Sequence, residues 1–144
     1  MFAFGREHEK KCALAYPRQP DQAALVSTMI DAIHDLLEGK GTAGQASAAI
    51  GDAFANGGSG VWESAGSWIR KTNVEYEYPE TCQLWTVLAR HEAAIVRFRV
   101  ACFLNEMPCE EFASVSSLLL NDKSKKVAAM TRTRAVEVAL RATT

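Results

Sequence analysis

Apolar residues return every three or four positions after Pro20: Leu25, Met29, Ile33 and Leu36 fall on one line, with Val26, Ile30 and Leu37 beside it. That spacing predicts a helix with a wide buried face, opened by Pro20-Asp21 and stopped at Gly39, with Gly41 behind it. Residues 44–56 are rich in small side chains and set Ile50, Ala53 and Phe54 on one side, the pattern of a shorter helix that packs closely. Asn56-Gly57-Gly58-Ser59-Gly60 breaks it. A third helix over residues 61–71 presents Val61, Trp62, Ala65, Trp68 and Ile69, although Gly66 weakens it by ~1 kcal/mol relative to alanine. Over residues 73–80 the period changes to two: Val74, Tyr76 and Tyr78 alternate with Glu75 and Glu77, as in an extended segment. Pro79 then prepares a helix over residues 80–90, carrying Leu84, Trp85, Val87 and Leu88.

Residues 92–107 have the densest pattern. Val96, Val100, Phe103 and Met107 recur at helical spacing while Ile95, Phe98, Cys102 and Leu104 occupy neighbouring faces, so a central helix with little surface left to water is expected. Pro108 closes it and opens the first turn of the next, where Glu110 and Glu111 complement the helix dipole and Phe112, Val115, Leu118 and Leu119 form the buried side. Asn121-Asp122 ends that helix. A last one runs from about residue 124 to 142, with Val127, Thr131, Ala135 and Val138 on one stripe and Lys126, Arg134, Glu137 and Arg141 on another, where Glu137 and Arg141 have the spacing of a solvated ion pair. Residues 1–20 end in Tyr16-Pro17-Arg18-Gln19-Pro20 and read as an extended, partly mobile lead-in. The fold class is therefore all-α: about seven helices in one domain over residues 1–144, arranged as antiparallel pairs. The absence of alternating helix and strand patterns argues against an α/β enzyme.

Composition adds bounds. The 144 residues suffice for a hydrophobic core without staples, and a 48% hydrophobic, 23% charged chain is of ordinary globular type. A net charge of −1 exerts no overall pull toward nucleic acid or anionic membrane. The charge is nevertheless bipolar, with one basic against five acidic residues over 21–60 and eight basic against five acidic from residue 93 onward. No stretch has the ~20 apolar residues of a membrane span, and the first twelve residues lack a secretory core. Cys12, Cys82, Cys102 and Cys109 are scattered, without a CxxC pair, which suits a reducing cytoplasm, with Cys102 and Cys109 as buried small hydrophobes.

Two helical pairs echo each other. Val87-Leu88 followed by Val96-Arg97, Val100-Ala101 and Leu104 parallels Leu119-Leu120 with Asp122 followed by Val127-Ala128. This resembles the HEAT family of two-helix repeats, in which a leucine-rich first helix leads through an Asp-containing turn to a second helix opening Val-Arg. His91 stands where the first pair would have the turn Asp, and Ala128 replaces the second arginine; residues 1–43 do not match. The echo fits either a HEAT-like stack or an irregular helical bundle. In a stack with so few repeats, the first helix would serve as a cap.

Candidate chemistry is sparse. His34 shares a helix face with Asp31 and Glu38, but a metal would need further ligands from a second helix, and neither HExxH nor ExxH occurs; a solvated face is expected. His91-Glu92 stands at a helix junction, where a histidine pairs with exposed carbonyls. Gly57-Gly58-Ser59-Gly60 lacks the strand and lysine of a phosphate cradle and reads as a turn. No catalytic residue, cofactor or metal is expected. Lys123, Lys125, Lys126, Arg132, Arg134 and Arg141 make the last helix basic, and nucleic-acid binding through it is an alternative function; an enzyme using the His34 face is a second. The most distinctive surface is Glu75-Tyr76-Glu77-Tyr78-Pro79-Glu80, flanked by Trp62, Trp68 and Trp85, where carboxylates and tyrosines together suit a partner with a basic cleft.

In size, solubility and idiosyncratic helical sequence the chain resembles the immunity proteins that accompany bacterial toxins. That resemblance implies a bacterial cytoplasmic antitoxin that plugs the cleft of a cognate protein toxin. Glu75, Tyr76, Glu77, Tyr78 and Glu80 would make the first contacts, and Asp31 and Asp35 the second.

Overall fold

A computed structural model describes residues 5–14, 19–74 and 81–142, and among them the chain is helical throughout, with no strand. Eight α-helices are present: α1 (Arg6–Ala13), α2 (Pro20–Leu37), α3 (Ala43–Asn56), α4 (Ser59–Val74), α5 (Thr81–Ala89), α6 (Ala94–Cys102), α7 (Cys109–Leu120) and α8 (Lys125–Ala142). A 3-10 turn, Leu104–Glu106, follows α6. None of these helices is long and apolar enough to cross a membrane. The chain divides into two compact units, Met1–Leu84 and Trp85–Thr144.

In the first unit α2 packs on α3 and α4, and α3 packs on α4. Its core is the stripe foreseen on α2, reduced to Val26, Met29, Ile30, Ile33 and Leu36, against Ala46, Ile50, Ala53 and Phe54 of α3 and Val61, Ala65, Trp68 and Ile69 of α4. Gly39 ends α2 at φ +77°, with its N–H on the Leu36 carbonyl and that of Lys40 on the Asp35 carbonyl. This is a Schellman closure, and the left-handed residue it needs is glycine. Thr42 and Gln45 open α3 with a reciprocal capping box, at 3.1 and 2.9 Å. The turn into α4 tolerates no side chain at Gly57, where a Cβ would stand 2.5 Å from the Ala53 carbonyl. The Gln22 amide of α2 clamps that turn by accepting from Gly58 N–H at 2.7 Å and donating to the Asn56 carbonyl at 3.2 Å.

Two sequence expectations change here. Arg6–Ala13 is a helix packed on α2, not part of an extended lead-in; its own alternation of charge, with acidic residues in the first turn and lysines in the last, complements the helix dipole. Asn73 and Val74 complete α4, and the rest of the predicted extended segment, residues 75–80, lies outside the described residues.

In the second unit α8 lies against α6, α7 and the 3-10 turn. Leu88, Val96, Val100, Leu104, Val115, Leu119, Val127 and Thr131 are buried, and the rings of Trp85 and Phe103 meet at 5.9 Å. The long central helix expected over residues 92–107 is two pieces. Its end carbonyls are taken up by arginines of α8: Arg134 Nε donates to the Cys102 carbonyl at 3.1 Å and Arg141 to that of Asn105 at 2.9 Å. With those acceptors satisfied from outside, the chain tightens into i→i−3 bonds from Glu106 to Phe103 and Met107 to Leu104. Ile95, Val87 and Leu118, all assigned to buried faces, are 41%, 47% and 36% exposed.

Arg97 on α6 is the polar centre of this unit. Its guanidinium grips Asp122, in the turn between α7 and α8, through Nε at 2.8 Å and a second nitrogen at 3.2 Å, while its remaining nitrogen donates to the His91 and Glu92 carbonyls. Asp122 also accepts from Ser124 N–H at 2.8 Å. Burial alone would raise the Asp122 pKa, but the hydrogen bonds from Arg97 and Ser124 outweigh it and hold the carboxyl below its ordinary value. Arg97→Ala therefore strands a carboxylate that is only 8% exposed and should cost about 3 kcal/mol, measured by urea unfolding. Because the folded-state pKa is the lower one, the pair's contribution is complete above an unfolded value of about 3.9. It should disappear as pH falls from there through the folded value, and the R97A protein should lack that part of the acid transition.

Candidate interaction site

The densest cluster of polar side chains in the first unit lies where α1 meets α2 and α4. α1 is eight residues long, and its only buried residue is the charged Glu9. A helix of that length is marginal in water and must be held by what it docks on. Arg6 and Lys10, four residues apart, share one face with Glu9 close between them. Opposite them α2 and its C-cap residue present Asp31, Asp35 and Glu38 at spacings of four and three, again a single face.

The two rows interlock. Arg6 donates to Asp35 at 2.7 Å, to Glu38 at 3.1 Å and to Asp31 at 3.5 Å. Lys10 Nζ stands 3.3 and 3.1 Å from the two oxygens of Asp31. The hydrogen bond to Asp35 raises the Arg6 pKa above its ordinary value against the opposing effect of burial. The Asp31 and Asp35 side chains remain 40% and 43% exposed, so each ion pair contributes only about 0.2–1 kcal/mol and weakens with salt.

Beneath this ladder Glu9 and His34 are buried. The Glu9 side chain is 3% exposed, and its Oε2 lies 3.4 Å from His34 Nε2 and 3.5 Å from Lys71 Nζ of α4. The carboxylate lies at hydrogen-bonding distance from the His34 ring and forms an ion pair with Lys71. Trp68 lines the same place, with the His34 ring edge-on at 6.2 Å and Lys71 Nζ over its face at 4.6 Å. A buried carboxylate is thus answered by two donors and an aromatic wall.

The residues singled out in the sequence separate here. Asp31 and Asp35 stand side by side and are engaged by Arg6 and Lys10. His34 does not join Asp31 and Glu38: it is buried against Glu9 while they pair with Arg6 and Lys10 of the same helix, α1, and among the described residues no group of three His, Cys, Asp or Glu could hold a metal ion. Glu75, Tyr76, Glu77, Tyr78 and Glu80 lie outside the described residues. In the second unit His91 accepts from Ala93 N–H through Nδ1 at the start of α6, the opposite of the carbonyl pairing expected of it. Of the basic set, Lys123, Lys125, Lys126, Arg132 and Arg141 are exposed; Arg134 binds the last carbonyl of α6 and Arg141 that of Asn105 in the 3-10 turn. Glu137 pairs with Arg134, at 2.9 Å. The Cys102 thiol is pushed up by burial, against Arg134 and Arg99, and is therefore a poor nucleophile.

Sequence reasoning missed Arg6, Glu9, Lys10 and Lys71. The signal for the first and third was present, since cations spaced by four in residues 6–10 match carboxylates spaced by four in residues 31–35. No pattern marks Glu9 as buried. No protein-family model, curated protein or solved structure matches the chain.

Glu9→Ala should lower the stability of the first unit by about 1–3 kcal/mol, because it removes the carboxylate that the buried His34 and the part-exposed Lys71 share. Glu7→Ala, at an exposed position of the same helix, should stay within about 0.5 kcal/mol. Urea unfolding of the two variants makes the comparison.

Proposed function

We propose that this chain is a non-catalytic protein-binding module, an immunity-type protein that neutralises a cognate bacterial toxin in the cytoplasm by filling a basic cleft. The observation that carries the reading is the acidic row Asp31, Asp35 and Glu38, which already receives an arginine and a lysine from another helix and keeps Asp31 and Asp35 partly open to solvent. A surface that accommodates guanidinium and ammonium groups at hydrogen-bonding distance has the chemistry a basic cleft requires. The acidic, tyrosine-rich stretch Glu75 to Glu80 adds aromatic contact area of the kind enriched at binding hot spots.

The reading includes a repeat-like scaffold of antiparallel helical pairs. It is supported by the meeting of Arg97 and Asp122, the residues that occupy the Val-Arg and turn-Asp positions of the two echoing pairs. A contact of that kind ties one pair to the next and gives a rigid platform, which limits the ordering cost of binding.

The test is co-expression with the toxin encoded beside its gene. The expected outcome is a one-to-one complex and loss of toxin activity, and replacing Glu75, Glu77 and Glu80 together by lysine should weaken the complex by at least about thirtyfold. A toxin that stays fully active in the presence of excess protein would contradict the proposal.

A further inference from the structure

We propose that α1 is a built-in competitor for the acidic face of α2, a charged strap that a partner helix carrying two cations four residues apart, with a carboxylate just before the second, displaces. In this chain the pattern is Arg6-Glu7-His8-Glu9-Lys10. Arg6 and Lys10 fill the row made by Asp31, Asp35 and Glu38, and Glu9 inserts between His34 and Lys71. The inference rests on the protein-binding reading for the existence of an outside partner. The strap itself follows from the contacts.

α1 differs from the other helices of its unit in what holds it. α2, α3 and α4 bury aliphatic and aromatic groups against one another, whereas α1 buries none of its own apolar side chains and docks by charge. Its ion pairs are part-exposed and therefore screened by salt, and once detached an eight-residue helix does not persist in water. Docking and folding of α1 are thus one event. The rest of the unit keeps its aliphatic core when α1 leaves, so release opens the acidic row together with the groups Glu9 meets, His34 and Lys71, without unfolding what carries them.

The occupant also defines the ligand. A lone cation would replace only the contacts of Arg6 and Lys10, whereas a helix that also carries the carboxylate reproduces the approach of Glu9 to His34 and Lys71. Recognition requires both signs on one helical face, which separates a specific partner helix from polycations in general.

The experiment uses the full-length chain, its Arg6→Ala/Lys10→Ala double variant, and a fluorescein-labelled peptide of residues 1–19. In wild-type protein the hydrogen-exchange protection of α1 amides should fall by about tenfold as salt rises from about 0.02 M to about 0.5 M, while α2 to α4 hold. In the double variant that protection should be gone at low salt. The peptide should bind the double variant about tenfold or more tighter than wild type, and adding Asp31→Asn/Asp35→Asn should abolish the binding. Protection of α1 that ignores both salt and the double substitution would overturn the strap, as would equal peptide affinity for wild type and double variant. Failure to inhibit a toxin would count against the function proposed above and leave these readouts unmoved.

Discussion

A carboxylate taken out of water has to be answered, and the Glu9 side chain sets the terms for the whole first unit. Transferring a charge into an apolar interior is costly unless donors surround it, and here the donors come from two different helices, His34 on α2 and Lys71 on α4. Only one rotation of α1 brings Glu9 to them. That rotation puts Arg6 and Lys10 over Asp31, Asp35 and Glu38, so the outer ladder is a consequence of the inner contact. The aliphatic core supplies the stability of α2, α3 and α4, while the buried carboxylate supplies the orientation of α1. Specificity and stability are thereby carried by different groups.

The second unit is organised by arginine in a comparable way. Arg97 distributes its nitrogens over one carboxylate and two carbonyls, joining α6, the segment before it and the turn into α8. Arg134 performs the same service at the other end of α6, and Arg141 in the 3-10 turn that follows it. A planar guanidinium suits helix ends because it satisfies several acceptors at fixed angles, and each of these arginines closes carbonyls that would otherwise need water or more helix. The positive charge counted in the C-terminal third of the sequence is therefore partly structural, while Lys123, Lys125, Lys126, Arg132 and Arg141 are exposed.

The helical class of the fold was legible because apolar spacing and punctuation agree. Pro20, Gly39, the Asn56-to-Gly60 break and Asp122 all fall at or next to helix ends, and the stripe on α2 is buried nearly as written. Where only pattern was available, expectation and structure part. Arg6–Ala13 carries too few apolar residues to announce a helix, since its docking is electrostatic and long-range in sequence. Pro108 marks where the helix over residues 92–107 must stop, but the Cys102 and Asn105 carbonyls are taken up by Arg134 and Arg141, more than thirty residues away, which no local pattern reports. For the candidate site, Asp31 and Asp35 were visible as acidic groups on a helix face. Their occupation by Arg6 and Lys10, and the inward turn of His34 to Glu9, depend on which way α1 lies, a tertiary fact.

The account turns on whether the ladder between α1 and α2 is energetically real, and a double-mutant cycle on Arg6 and Asp35 measures that directly. With Arg6→Ala, Asp35→Ala and the double variant compared by urea unfolding at low salt, a coupling of about 0.5–1 kcal/mol that shrinks toward zero as salt is raised is the predicted result. Coupling indistinguishable from zero at low salt, with α1 still docked, would mean that charge does not hold this helix in place and would contradict the account.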